Sequence, residues 1–582
     1  MIKLETILFF FLFFPIYLCA QKDLGDYNEN FKSNKFSAIN PWSTFVGASD
    51  VEESYSSAVD NNLNTYVTGY TASTNFPTTS GVIQPNKQGF YDSFLTKLDT
   101  TGNVIWSTYY GGLGDEYGYE ILTDSDDNVY LVGYTNGNDL LMSSSGVFQT
   151  ISAGSYDSFI LKLDSSGNFI WGTYFGGTGG DFAIAADIDN QNNIIIGGYT
   201  SSSDLQNLNG FQGASGGALD AFTAKFDSTG NLIWSTYCGG SNSEDVHTLH
   251  VDDQNNVIIA GETYSTDFPF SPSAFQTGIA GNLDMFIVKY DSLGNRIFST
   301  YFGGFNNEDA NGLSSDKDGN IYLVGYTESS DFPVLGSSVY QPLKNGGKDG
   351  FIVKFTSVGI PIRSTFLGGG QEDRFTCVEV SSTNALYVGG FTFSSNLPLI
   401  GTSYQNTIAG LSDGMYFKLD TALSPNYSTY IGGVSADYLN NLSIDDNQLL
   451  TFSGFSSSNN FPTTSNVFQE NLAGQSDAFV FQSDSVFSLS TSFYKASNLN
   501  NVMSIYPNPC ENYLKIEIDS FNSASEYKLE IYSLDGKLMI SYEIDNQKEI
   551  MLELIKSLKP SLYFCLLLED NNIIGKQKII KE

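Results

Sequence analysis

The sequence has little positive charge and almost no histidine. Its 582 residues contain 64 Asp and Glu against 27 Lys and Arg, which gives a net charge of −37, and only two His. Nucleic-acid binding is therefore excluded as a main function, because neutralising phosphates requires clustered basic residues. An anionic membrane surface would repel the chain for the same reason.

Long hydrophobic runs are missing after the first 20 residues. Lys3 precedes an apolar run from Ile7 to Leu18 that is too short to cross a bilayer, and Ala20 ends a candidate cleavage site. We expect residues 1–20 to be a signal peptide and residues 21–40 an N-terminal segment. The alternative, a lipoprotein acylated on Cys19, is disfavoured because the bulky Leu18 stands where a small residue is needed. The chain is therefore expected to be exported, without a transmembrane segment.

Cysteine is also scarce. Four of the five Cys remain after signal cleavage, and no CxxC pair is present for zinc. Cys238 and Cys377 stand where other copies of a repeat carry apolar or aromatic residues, so we expect them to be buried free thiols. The disulfide state of all four is left open, the other two being Cys510 and Cys565.

A repeat of 63 to 65 residues dominates the chain. Copies of the segment Trp106-Ser-Thr-Tyr-Tyr-Gly-Gly occur seven times. A second landmark is an Asp followed closely by an aromatic residue and usually by a Lys five residues later. The copies begin at Trp42, Trp106, Trp171, Trp234, Phe298, Arg363 and Tyr427, and the second landmark lies at Asp92, Asp157, Asp220, Asp284, Asp349, Asp413 and Asp477.

Each period contains four segments with the alternation typical of strands. In the second repeat we predict them at residues 117–124, 128–135, 157–164 and 168–175. Four antiparallel strands repeated seven times predict an all-β fold, a seven-bladed β-propeller over residues 41–484, with a linear solenoid as the alternative. The last repeat lacks a well-matched fourth strand, which the segment from Trp42 or the segment 485–493 could supply to close the ring.

Several motifs carry a family resemblance. The segments 284–304 and 316–327, followed by Asp331-Phe332-Pro333, resemble the bacterial seven-bladed β-propeller repeat called SBBP. The second and third copies lose the Asp-Phe-Pro element. The resemblance implies a fold and an exported setting rather than a defined activity, because one propeller scaffold serves many unrelated functions.

The chain changes character after a Ser- and Asn-rich linker, residues 485–504. Short alternating strands in residues 505–582 predict a small immunoglobulin-like β-sandwich. Three of its motifs resemble the C-terminal sorting domain of the type IX secretion system. That resemblance implies recognition by the type IX machinery of an outer-membrane-bearing bacterium, export, and removal of the domain. The alternative is a structural sandwich without a transport role. The motif residues are Tyr506, Pro507, Asn508 and Pro509, then Asp535, Gly536 and Lys537, and finally Lys576, Lys578 and Lys581.

The two histidines give no catalytic prediction. His247 and His250 lie three residues apart on a predicted strand, where alternation would direct them to opposite faces and prevent a shared metal. Neither adjoins a nucleophile motif such as GxSxG. A paired-carboxylate glycosidase stays open, because carboxylates are plentiful.

Most Asp residues recur in every repeat, which favours structural roles. The landmark Asp set is expected to accept backbone hydrogen bonds at strand starts. The acidic turns, such as residues 124–128, are interpreted as hairpin turns rather than calcium loops, because they lack the terminal Glu of an EF-hand.

One further carboxylate follows each Gly-Gly, where the chain enters the strand that would line a central channel. These residues could form a ring at the channel mouth that binds Ca²⁺ or a cationic ligand. The alternative is that each caps its own interblade turn. The set is Glu52, Glu116, Asp181, Glu244, Glu308, Asp373 and Asp437.

The sequence therefore predicts a secreted or surface-attached propeller that acts as a non-enzymatic binding or adhesion module for an extracellular glycan or protein. A polysaccharide-processing enzyme, lyase or glycosidase, and a structural surface-layer protein are the alternatives. A non-repeated carboxylate pair facing the channel would favour the enzyme, and repeated equivalent surfaces would favour multivalent binding.

Overall fold

The structure is a computed structural model that describes part of the chain. The described residues are 41–445, 448–484, 503–506, 510, 513–518, 527–533, 538–544, 549–552, 557–559, 561–569 and 572–581. The predicted signal peptide, the N-terminal segment and residues 485–502 of the linker lie outside them. Within these ranges the fold is all-β, and no helix has the length and hydropathy needed to cross a membrane.

The strands of residues 42–484 follow the repeat. The first strand, β1, spans Trp42–Val46. Blade one contains β2 (Glu52–Val59), β3 (Thr65–Thr71), β4 (Asp92–Leu98) and β5 (Val104–Tyr110), and blade two contains β6 (Glu116–Thr123), β7 (Val129–Thr135), β8 (Asp157–Leu163) and β9 (Phe169–Phe175). Blade three contains β10 (Asp181–Ile188), β11 (Ile194–Thr200), β12 (Asp220–Phe226) and β13 (Leu232–Cys238), and blade four contains β14 (Glu244–Val251), β15 (Val257–Thr263), β16 (Asp284–Tyr290) and β17 (Arg296–Phe302). Blade five contains β18 (Glu308–Ser315), β19 (Ile321–Thr327), β20 (Asp349–Phe355) and β21 (Pro361–Leu367), and blade six contains β22 (Asp373–Val380), β23 (Leu386–Thr392), β24 (Asp413–Leu419) and β25 (Pro425–Ile431). Blade seven contains β26 (Asp437–Ile444), β27 (Leu449–Ser456) and β28 (Asp477–Asp484).

The seven blades are four-stranded antiparallel sheets that close into a ring. The four strands predicted for the second repeat are confirmed to within one residue at each end. Strand β1 pairs with β28, from Trp42 opposite Gln482 to Val46 opposite Ala478, so the N-terminal strand completes blade seven. The inner strands of neighbouring blades contact one another in sequence, and β2 contacts both β6 and β26. A closed ring leaves no linear array with free ends, which excludes the solenoid.

Every inner strand contains a β-bulge with a glycine opposite it. In blade two the pairing shifts between Gly118 and Glu120, which leaves Tyr119 outside the ladder. The bulge brings the carbonyl oxygen of Tyr117 to 1.9 Å from the position that a Cβ at Gly133 would occupy. Each of the other six blades has a glycine in the same contact, at 1.8 to 2.0 Å. The repeated Gly of the second strand is therefore required by close backbone approach. The equivalent glycines are Gly69, Gly198, Gly261, Gly325, Gly390 and Gly454.

The acidic turns fix hairpins and pair with buried lysines. Asp124 accepts hydrogen bonds from the backbone N–H and the side-chain amide of Asn128, and its carboxylate lies 3.0 Å from the ammonium of Lys162. The Lys162 ammonium also lies over the ring of Tyr130. Matching Lys–Asp pairs occur in blades one, three, four and five, at 2.7 to 3.5 Å. These contacts confirm the hairpin-turn interpretation.

The strands described in the C-terminal segment form two further sheets. They are β29 (Met503–Tyr506), β30 (Leu514–Ile518), β31 (Tyr527–Ser533), β32 (Leu538–Ile544), β33 (Glu549–Leu552), β34 (Ser561–Glu569) and β35 (Asn572–Lys581). A three-stranded sheet of β29, β30 and β33 and a four-stranded sheet of β32, β31, β34 and β35 contribute to one apolar core. The two sheets agree with a β-sandwich, and the immunoglobulin-like topology stays a prediction. Cys510 and Cys565 are buried in this core, and Cys238 and Cys377 are buried free thiols of the propeller, as predicted for those two.

Candidate binding site in the central channel

The seven carboxylates that follow each Gly-Gly are buried inside the interblade junctions. Glu116, for example, accepts hydrogen bonds from the backbone N–H of Gly112 at 2.8 Å and from the hydroxyl of Thr135 at 2.6 Å. All seven accept the N–H of the residue four positions earlier, at 2.7 to 2.9 Å, and all are at most 1% exposed. They are not among the residues that line the channel cavity. Cation binding by this set stays a prediction, and the geometry favours the alternative, in which each caps its own turn. The seven are Glu52, Glu116, Asp181, Glu244, Glu308, Asp373 and Asp437.

The landmark Asp residues have the predicted structural role. Asp92 accepts hydrogen bonds from the backbone N–H groups of Gln88 and Gly89, at 2.9 and 2.8 Å. The same two contacts recur at the other six positions. These carboxylates hold the loop before the third strand of each blade, as the repeat predicted.

The central channel contains a cavity of about 520 Å³ lined by the inner strands. Its wall includes the bulged residue of every blade, because a residue outside the ladder projects from the inner strand toward the axis. These seven residues differ in chemistry between blades. They are Tyr55, Tyr119, Ile184, His247, Asn311, Thr376 and Asn440.

The bulge corrects the prediction for the two histidines. Simple alternation would direct His247 and His250 to opposite faces, but both line the channel cavity. His247 is the bulged residue of β14, so the extra residue changes the phase between them. The prediction of opposite faces is wrong. The two rings nevertheless contact different partners: His247 binds Asp309, and His250 lies between Asp187 and Ser315.

A group of non-repeated acids lies in the channel. Burial raises the pKa of Glu120 to about 8, although the hydroxyl of Ser56 hydrogen-bonds to it, and the nearby charge of Asp187 adds to the increase. Burial also raises the pKa of Glu379 to about 7, against the opposing effect of His250. Glu120 has no carboxylate at its position in the other blades, and Glu379 shares its position with Asp187 of blade three, so neither follows the sevenfold repeat.

Aromatic side chains form a continuous arc at the end of the blades where the inner strands begin, and two of them, Tyr55 and Tyr119, line the channel cavity. Tyr55 stacks on Tyr119 with ring centroids 4.5 Å apart, Tyr119 contacts Tyr134 at 5.4 Å, and Tyr134 contacts Phe182 at 4.9 Å. The arc extends over blades one to three, and its members are partly exposed. We call this set the aromatic arc; it contains Tyr55, Tyr70, Tyr91, Tyr117, Tyr119, Tyr134, Tyr156, Phe182 and Tyr199.

The channel face of blades four to six carries a group of charged side chains as well as aromatic rings. Asp245 and Glu262 occupy blade four, Asp309 blade five and Arg374 blade six, and the guanidinium of Arg374 lies over the ring of Tyr326. His247 joins Asp309 and Asp245, with nitrogen–oxygen distances of 2.6 and 3.4 Å. The rim of the channel is therefore asymmetric, because blades four to six add these charged side chains beside the rings of Tyr326 and Phe391.

The repeat pattern did not predict the channel residues, because these residues do not recur from blade to blade. A usable signal was present: the position three residues after each capping carboxylate varies among Tyr, Ile, His, Asn and Thr while its surroundings repeat. The bulge itself is not readable from polarity alternation.

The described sorting-motif residues lie on strands of the C-terminal segment. Tyr506 ends β29 opposite Lys515, and Lys576, Lys578 and Lys581 lie on β35. The remaining motif residues, Pro507, Asn508, Pro509, Asp535, Gly536 and Lys537, lie outside the described residues.

Two family models match the chain. The model described as secretion system C-terminal sorting domain matches residues 504–582, and the beta-propeller repeat model, SBBP, matches residues 105–140 and 297–333. The chain therefore contains SBBP β-propeller repeats and a C-terminal secretion sorting domain. The sorting domain directs this SBBP protein to the type IX secretion system, with release or surface attachment as the outcome.

Curated relatives are distant. An uncharacterized WD repeat-containing protein of Acanthamoeba polyphaga mimivirus is 22% identical over 288 residues, covering 40% of this chain and 21% of that protein. The regulatory protein FlaEY of Caulobacter vibrioides is 24% identical over 325 residues, covering 53% of this chain and 33% of that protein. The matched region of this SBBP protein thus spans a third or less of either relative.

Solved structures are equally distant. A Synechocystis apocarotenoid oxygenase mutant aligns with a TM-score of 0.33 at 11% identity, over 72% of this chain and 88% of that chain. A glycoside hydrolase family 32 protein from Bifidobacterium adolescentis aligns with a TM-score of 0.23 at 8% identity, over 93% and 95%. Similarity of this size carries no conclusion about the activity of the SBBP protein.

Proposed function

We propose that this protein is an exported binding module that captures a neutral or amino-sugar-containing extracellular glycan at the channel mouth. The aromatic arc is the observation that carries the proposal. Sugar rings present apolar C–H faces and hydroxyl edges, and tyrosine offers a flat apolar ring with a polar tip that matches both. A connected surface of nine partly exposed aromatic residues is also unusual on a soluble domain unless it binds something.

Charge narrows the class of glycan. The chain carries a net charge of −37, and the carboxylates of Asp187 and Asp309 line the channel. A polyanionic glycan would be repelled as it approached, whereas a neutral chain would not, and an amino sugar would be attracted. Export by the sorting domain would place the module outside the cell, where an extracellular glycan is accessible.

A glycan-array screen of the full-length protein, followed by calorimetry on each hit, tests this function. Tyr119→Ala removes a central ring of the arc, and we expect it to weaken binding about tenfold or more, because stacked aromatic contacts dominate such surfaces. Tyr119→Phe should retain most affinity, which separates loss of the ring from loss of the hydroxyl.

Tyr340→Ala provides the matched control. Tyr340 is 40% exposed on a loop of blade five, outside the arc, so its removal should leave affinity unchanged. Equal loss in Tyr119→Ala and Tyr340→Ala, or no binding to neutral glycans by the native protein, would contradict the proposal.

A second candidate, catalysis on the bound glycan, is favoured by one observation. Glu120 and Glu379 are non-repeated and have pKa values of about 8 and about 7, so each retains a proton near neutral pH and is able to act as a general acid. Product analysis after long incubation with each bound glycan tests it. Shortened saccharides that disappear in Glu120→Gln or Glu379→Gln would favour the enzyme, and unchanged glycan would favour the binding module.

A further inference from the structure

Blade four departs from the other blades at one cross-strand pair. Asp245 on β14 lies directly opposite Glu262 on β15. In the other six blades, the residue at the position of Glu262 is aromatic: Tyr70, Tyr134, Tyr199, Tyr326, Phe391 or Phe455. Two like charges directly opposite each other destabilise an antiparallel pair, so this pair requires a compensating positive charge.

His247 completes a set of three donors at this pair. As the bulged residue of β14 it lies beside both carboxylates, and one ligand atom from each of Asp245, His247 and Glu262 falls within 4.8 Å of the others. Asp245 Oδ1 is shielded from solvent and has no hydrogen-bond partner among the residues that the structure describes. The cluster thus combines an imidazole, two carboxylates and an unsatisfied buried oxygen.

We propose that Asp245, His247 and Glu262 bind one divalent transition-metal cation of the Zn²⁺ type at the rim of the channel. The Nε2 atom of His247 lies 3.4 Å from Asp245 Oδ2. Two ligands that each bind Zn²⁺ at about 2.0–2.1 Å in tetrahedral geometry are separated by about 3.3 Å, so this pair needs almost no movement.

The surroundings of His247 match those of a metal ligand. Its Nδ1 atom lies 2.6 Å from Asp309 Oδ1 on the neighbouring blade. A metal-binding imidazole commonly donates its second N–H to a carboxylate, which fixes the tautomer and directs the other nitrogen at the metal. Asp309 therefore acts as the positioning residue.

The donor set selects the class of cation. Ca²⁺ and Mg²⁺ prefer sites built from oxygen atoms, whereas one imidazole with two carboxylates suits Zn²⁺ and similar ions. The side chains of His247 and Asp245 are 21% and 30% exposed, so an ion can enter from the channel face. Three protein ligands also leave a coordination position open to water or to a bound ligand.

The competing explanation is an ion network without metal. Although burial opposes it, the carboxylates of Asp309 and Asp245 hold the pKa of His247 well above its usual value, so a protonated His247 would itself offset the charge of this cluster. A metal titration separates the two explanations, because only the first predicts a stoichiometric cation.

The test is calorimetry of the full-length, chelator-treated protein with Zn²⁺ and, separately, with Ca²⁺, at a fixed mildly alkaline pH. We expect one equivalent of Zn²⁺ to bind, more tightly than Ca²⁺, and to raise the melting temperature. Glu262→Tyr should weaken Zn²⁺ binding at least tenfold. Asp309→Asn should weaken it by about ten- to hundredfold as a positioning residue.

Folding of the variants is controlled within the chain itself. Because four blades carry Tyr at the position of Glu262, Glu262→Tyr should melt at the same or a higher temperature than the native protein when no metal is present. Glu328→Gln alters a partly exposed carboxylate of blade five outside the cluster and should bind Zn²⁺ like the native protein. No stoichiometric Zn²⁺ binding, tighter binding of Ca²⁺, or equal affinity in Glu262→Tyr would overturn the proposal.

Discussion

Residues that join one blade to the next are nearly the same in all seven blades, whereas the bulged residues that line the channel are of five different types. The capping carboxylates and the landmark Asp residues make the same hydrogen bonds around the whole ring. The bulged residues have the same backbone setting, yet their side chains range from Tyr to His to Asn. The repeated junction residues thus hold the ring together, and the bulged residues that vary lie on the surface that can contact a ligand.

The largest effect should come from breaking a buried ion pair of the framework. In Asp189→Ala the ammonium of Lys225, which lies 2.7 Å from Asp189 and is 4% exposed, loses its counter-charge. We expect a loss of about 3–5 kcal/mol, because an unpaired buried charge is strongly destabilising. Thermal unfolding of the full-length protein measures it. Asp126→Ala, on an exposed turn of blade two, is the control and should change stability by less than about 0.5 kcal/mol.

A smaller loss is expected where the framework meets the channel wall. Gly133→Ala places a Cβ 1.9 Å from the carbonyl oxygen of Tyr117, so the bulge must move. We expect a destabilisation of about 1–3 kcal/mol, together with weaker glycan binding because Tyr119 shifts. Gly213→Ala is the control, since nothing lies within 4 Å of its added Cβ. Equal melting temperatures for both variants would refute the close-approach explanation.

The framework should also respond to pH. Burial raises the pKa of Glu116 and Glu308 to about 7 and of Asp373 to about 6, above the ordinary values of 4.5 for Glu and 3.8 for Asp. The folded protein therefore holds these protons more tightly than the unfolded chain, and the stability that they contribute is lost as pH rises from the unfolded pKa through the folded pKa.

The turn aspartates act in the opposite sense, at pH values below the ordinary Asp pKa of 3.8. Hydrogen bonds from Asn193 and the ion pair with Lys225 lower the pKa of Asp189 despite its burial, so its stabilisation is lost as the pH falls. We expect the melting temperature to be highest near pH 5 and to decline toward pH 8 and toward pH 3. A melting temperature that rises steadily from pH 5 to pH 8 would contradict these assignments.

The smallest effect should come from exchanging channel residues between blades. Asn311 is the bulged residue of blade five, and the bulged residue of blade six is Thr376. The substitution Asn311→Thr therefore gives blade five the residue of blade six. Stability should change by less than about 0.5 kcal/mol, because the residue makes no ladder pair. Leu313→Thr, two residues away and 7% exposed in the core, should cost several times more. Similar melting temperatures for the two variants would remove the distinction between wall and framework.

Much of the fold could be predicted from the sequence, because each strand and turn signal can be compared across seven copies of the repeat. The repeat left open whether the segment from Trp42 or the segment 485–493 closes the ring, and the pairing of the Trp42 strand with the last blade decides it. Strand positions, the hairpin role of Asp124 and the buried thiols of Cys238 and Cys377 all followed from recurrence. The channel site did not, for the same reason. A bulge changes side-chain phase without changing polarity, so the placement of His247 depended on backbone pairing that the sequence pattern does not contain.

The bulge has a consequence for how such a protein can change. A bulged residue takes no part in strand pairing, so its side chain need not fit a cross-strand neighbour. The glycine opposite it keeps the backbone geometry of the bulge when that side chain changes. Each blade therefore has one position in the channel wall that can be substituted while the fold of the ring is kept. Substitutions at these seven positions, one blade at a time, can create new binding preferences, while the fold that the secretion machinery must export stays the same.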